Sequence, residues 1–319
     1  SSDWDTLSSE EANYPLMNRA IAGQYPSGST IKALTTFAGL KYGICDGNSS
    51  WYCTGFWTGF GEQYGMHCWL LSGHGTVNLI TGITNSCDIV FYEIGKGFFY
   101  NNDHPEGMQE TFRAFGLGAL SGIDLPEEAS GRVPDAEWKW NYFTSSPDDA
   151  RKWQGGDNCN LAIGQGDLLV TCLQMANAYC GIANRGPIYK PHVLKSINAR
   201  NGNGSVIEYK NEVILSPEEK DEHRDIVARG LYGVVYEESA SQTIHWTNLD
   251  VTVNGKTGTA EQQSIGEPVG WFVGYAPADK PQYVVAANLD CAPSGAGSGM
   301  YIVRDVFGAI YNQPDNVGR

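Results

Sequence analysis

The sequence predicts an α/β (α+β) fold in which an antiparallel sheet is flanked by helices and adjoins a mainly helical region. Two observations carry the prediction for the sheet. Three segments with the residue pattern of β-strands are joined by short turns. This arrangement favours an antiparallel meander of strands at 249–260, 270–275 and 282–290. An apolar helical pattern then follows at 300–311 and should pack on this sheet.

The third observation is the series of helical patterns that precede the sheet. Apolar residues recur with helical spacing after Ser29, and a second helix over 77–85 leads to Ser86. Two short helices are predicted between 91 and 116. A strong helix is predicted at 168–183, and another runs from a capping box at Ser216-Pro217-Glu218-Glu219 to about Tyr236. Residues 44–75, rich in Gly, Cys and Trp, read as an irregular loop with a small hairpin.

Composition limits the kinds of partner that the protein can have. The 319 residues are 41% hydrophobic, enough for one large α/β domain or two small ones with a normal core. The 21 Lys and Arg against 36 Asp and Glu give a net charge of −15, which argues against nucleic acid or an anionic membrane surface as a direct partner. The sequence has no run of about 18 apolar residues, so it predicts no membrane-spanning helix.

A candidate nucleophile lies near the start of the first well-patterned helix. Pro26 and Gly28 interrupt the chain, so Ser29 should lie in the first helical turn with Lys32 one turn on, on the same face. A lysine amine that close can take the hydroxyl proton if burial or a neighbouring cation lowers its pKa. By itself S-x-x-K is a common pattern, and a serine near a helix N-cap beside a solvated lysine is the alternative interpretation.

Two further motifs make the catalytic interpretation specific. A β-branched strand carries K-T-G-T, and an S-x-D tripeptide lies between that strand and the first motif. The set S-x-x-K, S-D-N and K-T-G, in this order, is found in penicillin-binding proteins and class A β-lactamases. In this chain the motifs are Ser29-x-x-Lys32, Ser86-Cys87-Asp88 and Lys256-Thr257-Gly258-Thr259.

On these motifs the chain resembles the transpeptidase domain of class B penicillin-binding proteins, and it is most similar to the elongation-type, penicillin-binding protein 2-like branch. The resemblance covers nearly the whole chain, so residues 1–319 are expected to form one transpeptidase domain. The family's domain usually begins with two strands ahead of the nucleophile, and none is predicted here; either those strands have been removed or the sheet is narrower than usual. The segments that carry the resemblance, besides the three motifs, are 16–20, 73–79, 163–166 and 271–277.

The resemblance implies the location and the function of the protein. Family members are held in the bacterial cell membrane by one N-terminal helix, followed by a non-catalytic pedestal and an extracytoplasmic catalytic domain. Neither the anchor nor the pedestal is in this chain, which begins at a bare Ser1 and is therefore expected to be an excised ectodomain. The implied activity is peptidoglycan D,D-transpeptidation on D-Ala-D-Ala stem peptides, inhibited by β-lactams and coupled to a membrane glycosyltransferase, with no organic cofactor.

The resemblance also assigns roles to the motif residues. Ser29 is the nucleophile, Lys32 accepts its proton, and Ser86 with Lys256 relays a proton to the leaving D-alanine. The backbone N–H groups of Ser29 and Thr259 form the oxyanion hole, and Thr257 with Thr259 holds the terminal carboxylate. Gly258 is expected because a side chain there would block a substrate that lies along the strand.

Asp88 departs from the family pattern, since many relatives carry Asn at this position. A carboxylate cannot donate a hydrogen bond as an amide does, so Asp88 should pair with Lys32 or accept a bond from the backbone. The alternative interpretation is a residue that caps the neighbouring helix.

Four potential metal ligands lie close together in the sequence. Cys53, Cys68 and Cys87 fall within 35 residues and share this segment with His74. If Ser86 and Asp88 face the cleft, the residue between them points to the back, toward the other three. Three thiols and one imidazole make a closed, structural Zn²⁺ site with no open position for water. The alternatives are a Cys53–Cys68 disulfide, favoured by an oxidising exterior, and inert thiols.

Other functions would use the same three motifs. A serine β-lactamase needs a residue that activates deacylating water, and no spare glutamate is placed like that of class A enzymes. A D,D-carboxypeptidase, or a relative that carboxylates its lysine and hydrolyses β-lactams, stays open. A β-lactam sensor or a scaffold is the non-enzymatic alternative, because a fold does not determine a function.

Overall fold

The computed structural model describes residues 2–7, 9, 14–200, 204–238, 244, 246–261, 268–290, 292 and 296–311. In this part of the chain the main sheet has three strands, and smaller two-stranded ladders lie elsewhere. The strands, numbered in chain order, are β1 Ser50–Cys53, β2 Phe56–Trp57, β3 Met66–His67, β4 Gly75–Asn78, β5 Ile188–Tyr189, β6 Ser196–Asn198, β7 Ser205–Glu208, β8 Val213–Leu215, β9 Asn254–Ala260, β10 Val269–Ala276 and β11 Tyr283–Leu289.

The helices surround this sheet and build the region beside it. Short 3₁₀ helices occur at Gly28–Ile31, Glu62–Tyr64 and Trp246–Asn248. The α-helices, numbered in chain order, are α1 Ser2–Leu7, α2 Arg19–Ala22, α3 Lys32–Lys41, α4 Leu79–Thr84, α5 Asp88–Tyr100, α6 Gly107–Ala114, α7 Ala136–Tyr142, α8 Asp148–Arg151, α9 Gly155–Ala162, α10 Cys172–Ala183, α11 Asp221–Tyr236 and α12 Ala296–Ile310.

The predicted antiparallel meander is correct, with β10 between β11 and β9, although β9 begins at Asn254 and not at Leu249. Every residue of β10 is buried, because helices cover both faces of the strand. Successive side chains alternate between the faces. Trp271 packs edge to face with Tyr25 on the side of the 3₁₀ helix at Gly28–Ile31, whereas Phe272 belongs to the cluster beneath α12. One face of the sheet therefore packs toward the 3₁₀ helix at Gly28–Ile31. The other face packs against α12, the closing helix that was predicted to lie on the sheet.

Helix α3 is the centre of the helical region. All of its residues from Lys32 to Leu40 are buried, so it is a core helix with no solvent face. It packs against α5, α6 and α11, and Phe37 stacks on Phe115 at 5.5 Å between ring centroids. The helix that begins with Lys32 is thereby fixed on several sides.

Several predicted helix starts are wrong by a few residues; the closing helix α12, for example, begins at Ala296 and not at Met300. The first two residues of the segment predicted as a helix at 77–85 belong to strand β4, and α4 starts only at Leu79. Asn78 is the N-cap of this helix and forms a reciprocal capping box with Thr81. The helix predicted from residue 168 begins at Cys172, because Val170 pairs with Tyr25 in an isolated antiparallel bridge. Tertiary pairing has overridden the local helical pattern there.

The capping box predicted at Ser216–Glu219 is also wrong. Helix α11 begins at Asp221, and its N-cap, Lys220, makes no side-chain capping bond. The Glu219 carboxylate instead pairs with the His223 imidazole at 3.2 Å. The Glu219 carboxylate therefore bonds to the buried His223 side chain and does not form the predicted capping box.

The segment predicted as an irregular loop at 44–75 contains two ladders. Strand β1 pairs with β4 and strand β2 pairs with β3, both antiparallel. These ladders bring Cys53, Cys68 and His74 beside the start of α5. Within the described residues, no helix is long and apolar enough to span a membrane.

Candidate active site

The candidate nucleophile lies in a tightly held turn. Ser29 is half-buried in the 3₁₀ helix that leads directly into α3, and in a 3₁₀ helix residues i and i+3 are eclipsed, so Lys32 follows on the same side. Thr30 fixes this turn, because its hydroxyl donates to the Ser27 carbonyl at 2.7 Å and its own carbonyl accepts from Tyr179 at 2.8 Å. The Ser29 hydroxyl is thus carried by a rigid backbone.

The Lys32 amine is completely buried and makes three hydrogen bonds to the S-x-D motif. It donates to the Ser86 carbonyl at 2.8 Å, to the Ser86 hydroxyl at 3.3 Å and to Asp88 Oδ1 at 2.7 Å. The ammonium also lies 5.0 Å from the centre of the Phe91 ring. Residues predicted from two separate motifs therefore meet at one buried amine.

Both bonds expected of Asp88 are present. One carboxylate oxygen forms the ion pair with Lys32, and the other accepts the backbone N–H of Trp69 at 2.9 Å. Asp88 is also the first residue of α5, where a carboxylate interacts favourably with the helix dipole. It therefore holds three parts of the chain together.

Ser86 has a strained backbone. Its φ of +52° lies in the left-handed region, which residues other than glycine rarely adopt. The strain arises where α4 ends and α5 begins, with the N–H of Cys87 bound to the carbonyl of Gly82 at 2.9 Å. Such conformations persist only where the surroundings impose them, and they cluster at functional sites.

Lys256 carries the second fully buried amine of the site. It lies on β9 and donates to the carbonyl and the hydroxyl of Thr257, both at 3.2 Å. Burial lowers the pKa of Lys256 well below its ordinary range, and the nearby charge of Lys32 lowers that pKa further. Two neighbouring buried ammonium groups would repel each other, so the site favours one charged and one neutral amine.

The strand of the third motif lies directly against the nucleophile turn. A Cβ at Gly28, where φ is +51°, would come within 2.6 Å of the Thr259 carbonyl oxygen. A Cβ at Gly258 would lie 2.8 Å from the Ser27 carbonyl oxygen. Contact with the chain itself therefore already excludes a side chain at Gly258, in addition to the expected need to leave room for a substrate along the strand.

Three residues near the motifs make contacts that the sequence did not predict: Gly164, Gln165 and Trp69. Gln165 donates its amide to the Thr259 carbonyl at 3.3 Å, and Gly164 accepts the N–H of Gly28 at 2.9 Å, so this loop holds the nucleophile turn and β9 together. Trp69 binds Asp88 through its backbone and Asn85 through its indole. Only the fold reveals these bonds, although the I-G-Q-G segment was already part of the resemblance.

The four predicted metal ligands lie together behind Ser86. Their ligand atoms are all within 4.8 Å of one another, and Cys53 Sγ and Cys68 Sγ each lie 3.5 Å from His74 Nδ1. A tetrahedral zinc with ordinary Zn–S and Zn–N bonds requires about 3.6 Å between sulfur and nitrogen. All three cysteines are free and buried. A hydrogen bond between Cys68 and Cys87 lowers the pKa of the Cys68 thiol, whereas the same bond and burial raise the pKa of Cys87. The donor set therefore fits a zinc ion.

Comparison with known proteins shows what family this chain belongs to. Residues 3–311 match the family described as the penicillin binding protein transpeptidase domain. The chain is a member of this family. The resemblance drawn from the motifs and the predicted fold class are both confirmed.

Individual members of the penicillin-binding protein family match over almost the whole chain. The peptidoglycan D,D-transpeptidase MrdA of Acinetobacter baumannii is 31% identical over 93% of this chain and 44% of that protein. A structure of Pseudomonas aeruginosa PBP2 in complex with WCK 5153 has a TM-score of 0.82 at 27% identity, covering 97% of this chain and 63% of that one. A chain from a peptidoglycan synthase complex has a TM-score of 0.80 at 26% identity, covering 100% of this chain and 51% of that one. This chain spans about half the length of the curated relatives that it matches.

Proposed function

We propose that this domain is the catalytic part of a peptidoglycan D,D-transpeptidase, which cross-links stem peptides through a serine acyl-enzyme and is acylated by β-lactams. The observation that carries the proposal is the buried Lys32 amine, one turn after Ser29 and hydrogen-bonded to both Ser86 and Asp88. The name of the Acinetobacter baumannii relative supports the same activity.

Acylation would begin with a neutral Lys32 amine. The Lys32 amine lies 2.7 Å from Asp88 Oδ1, and a proton carried by this amine must be passed on before Ser29 can attack. The Ser86 hydroxyl, 3.3 Å from Nζ, is positioned to pass it on, and Lys256, with its lowered pKa, is proposed to hold it. Ser29 Oγ then bonds to the carbonyl carbon of the penultimate D-alanine, and its proton goes to Lys32.

Collapse of the tetrahedral intermediate would release the terminal D-alanine. The C–N bond breaks, and the departing amine takes the proton from Lys256 by way of Ser86, which leaves Lys32 charged and Lys256 neutral again. The backbone N–H groups of Ser29 and Thr259 are proposed as oxyanion donors, supported by the close packing of Gly28 on Thr259. Thr257 and Thr259 are proposed to bind the terminal carboxylate. An acceptor amine from a second stem then attacks the ester and regenerates Ser29.

The products formed from natural substrate test this proposal. The full-length protein that carries this domain would be incubated with uncross-linked glycan strands bearing pentapeptide stems, and the material would be digested with muramidase. Cross-linked dimers that depend on Ser29 and are absent with Ser29→Ala support a transpeptidase. Tetrapeptide monomers alone would indicate a D,D-carboxypeptidase, and unchanged stems would indicate a sensor or a scaffold.

We propose in addition that Cys53, Cys68, His74 and Cys87 hold a structural Zn²⁺ ion. When bound, the ion would connect the β1–β4 ladder to the start of α5. Its four protein ligands would leave no coordination position for water. The closely spaced ligand atoms and the free thiols support this assignment over a Cys53–Cys68 disulfide. Because binding of the metal contributes to folding, the site would brace the loop that carries Ser86.

Metal analysis and one variant separate zinc from the disulfide. Freshly purified protein should contain about one zinc per chain, and chelation should lower both the melting temperature and the rate of β-lactam acylation. Cys87→Ser should reproduce both losses, since a hydroxyl is a far poorer ligand, whereas a Cys53–Cys68 disulfide would leave that variant nearly unaffected. Well under one zinc per chain, together with a mass two hydrogens below that of the reduced protein, would overturn the proposal.

We also propose that the complete protein is anchored in the bacterial membrane by a single N-terminal helix, with this domain outside the cytoplasm, and that it works with a membrane glycosyltransferase. The similarity to a chain of a peptidoglycan synthase complex supports the partnership. Co-purification of the detergent-solubilised full-length protein with a glycosyltransferase would support it, and a monomeric protein recovered under the same gentle conditions would oppose it.

A further inference from the structure

A cavity of about 300 Å³ lies between α10, the loop at 116–122 and the β5–β8 ladder. This volume is at the lower end of the range found for small-molecule sites. None of the described residues that line the cavity belongs to the three catalytic motifs. Helix α10 separates it from the nucleophile turn, because Asn177 lines the cavity whereas Tyr179 donates to the Thr30 carbonyl. The cavity is therefore distinct from the catalytic cleft.

The floor of the cavity is apolar and belongs to the core. The Ile188 side chain is buried, and Ile214 and Leu215 pack against the main hydrophobic cluster. Leu120 stands on the rim of the cavity and is 61% exposed. An apolar group that covered this floor and rim would leave water, which is favourable. The floor thus fits an aliphatic part of a ligand.

The loop that forms one wall of the cavity is already held in place. The Gln174 amide donates to the Ala119 carbonyl at 2.9 Å. The Glu128 carboxylate accepts the backbone N–H groups of Ser121 at 2.7 Å and of Gly122 at 3.0 Å. Because these bonds fix the loop before a ligand arrives, binding would cost little conformational entropy.

Two opposite charges line the cavity without pairing with each other. The Lys190 N–H donates to the Glu212 carbonyl at 2.8 Å, so the two residues are neighbours across the ladder. Opposite charges on neighbouring strands commonly pair, yet neither side chain forms an ion pair or a hydrogen bond within the described part of the chain. Arg113, the third charged residue of the lining, is by contrast already paired with Asp135. One ammonium and one carboxylate are therefore available to a ligand.

We propose that this cavity binds a small zwitterion, namely an α-amino acid with an aliphatic side chain. The Lys190 ammonium binds the carboxylate of the ligand, the Glu212 carboxylate binds its ammonium, and the apolar floor covers its side chain. A ligand with only one of the two charges would leave the other cavity charge unmatched. The inference does not depend on the proposed function, because it uses no residue of the catalytic motifs.

Three related compounds test the requirement for both charges. Leucine, used as the racemate, carries both charges and a branched aliphatic side chain. 4-Methylpentanoic acid lacks the ammonium, and 3-methylbutylamine lacks the carboxylate. Binding to the chain would be measured by saturation-transfer NMR titration, in which the methyl signals of each compound are observed. Leucine should bind at least about tenfold more tightly than either analogue, the scale expected for loss of a hydrogen bond between charged groups. An excess of benzylpenicillin should not displace it.

Two variants locate the site. Lys190→Met and Glu212→Gln should each weaken leucine binding at least about tenfold. The matched control is Lys195→Met, which removes an exposed lysine outside the cavity and should leave the affinity unchanged. The melting temperature of each variant shows whether the fold is retained.

Four results would each overturn the inference. The first is that leucine shows no binding at concentrations up to about 10 mM. The second is equal affinity for all three compounds, and the third is wild-type affinity in both Lys190→Met and Glu212→Gln. The fourth is displacement of leucine by benzylpenicillin, which would place the amino acid in the catalytic cleft.

Discussion

At the scale of single residues, the two buried amines of Lys32 and Lys256 dominate the site. The pKa of Lys256 in the folded protein is lowered from its ordinary value of 10.5, mainly by burial. At a pH between these two values, Lys256 is more protonated in the unfolded chain than in the folded chain. In that window this residue makes the protein more stable as the pH rises and less stable as the pH falls. Lys256 therefore costs stability at neutral pH.

Replacement of this amine should stabilise the fold while it removes activity. Lys256→Met keeps an unbranched side chain without the amine, so the melting temperature at pH 7 should rise by about 3 °C or more. The gain should shrink as the pH approaches 10.5, where the wild-type amine is neutral in both states. Thermal unfolding at several pH values measures this, and a lower melting temperature at pH 7 would show that the hydrogen bonds to Thr257 outweigh the desolvation.

Asp88 gives a second prediction, because it neutralises a fully buried lysine. Asp88→Ala leaves Lys32 without a counter-ion and should lower the free energy of unfolding by about 3 kcal/mol. Asp88→Asn keeps an oxygen for the Trp69 N–H, so its loss should be smaller. Urea denaturation of both variants provides the comparison. Equal losses for the two would mean that the bond to the Trp69 N–H contributes little, because both variants remove the charge of Asp88.

At the scale of elements, the site depends on the fit between β9 and the nucleophile turn. A Cβ at Gly258 would meet the Ser27 carbonyl oxygen at 2.8 Å, so Gly258→Ala must push the strand away from the turn. Overpacking of this kind costs about 1–3 kcal/mol, and the displacement should also slow acylation.

A glycine with open space around it is the matched control for this substitution. A Cβ at Gly156, in α9, meets nothing within 4 Å, so Gly156→Ala should be neutral or stabilising and should leave acylation unchanged. Urea denaturation and benzylpenicillin acylation would be measured on both variants. Wild-type stability and rate in Gly258→Ala would refute the proposed role of this packing.

At the scale of the whole molecule, the sequence predicted what depends on local pattern and missed what depends on distant contacts. The meander, the closing helix and the grouping of Lys32 with Ser86 and Asp88 follow from strand periodicity and from motif chemistry. The later start of α10 was missed although Thr171 and Gln174 form a capping box that the local sequence shows. The bonds of Gln165 and Trp69 could not be predicted, because they join segments that are separate in the sequence.

The central claim is that Ser29 is the nucleophile and that Lys32 is its base. Intact-protein mass spectrometry after addition of benzylpenicillin, followed by peptide mapping, tests it most directly. The wild-type chain should carry one adduct on the peptide that contains Ser29, and that adduct should persist for many minutes. Lys32→Ala should form the adduct at least about a hundredfold more slowly. A full adduct in Ser29→Ala, or an unchanged acylation rate in Lys32→Ala, would contradict the account.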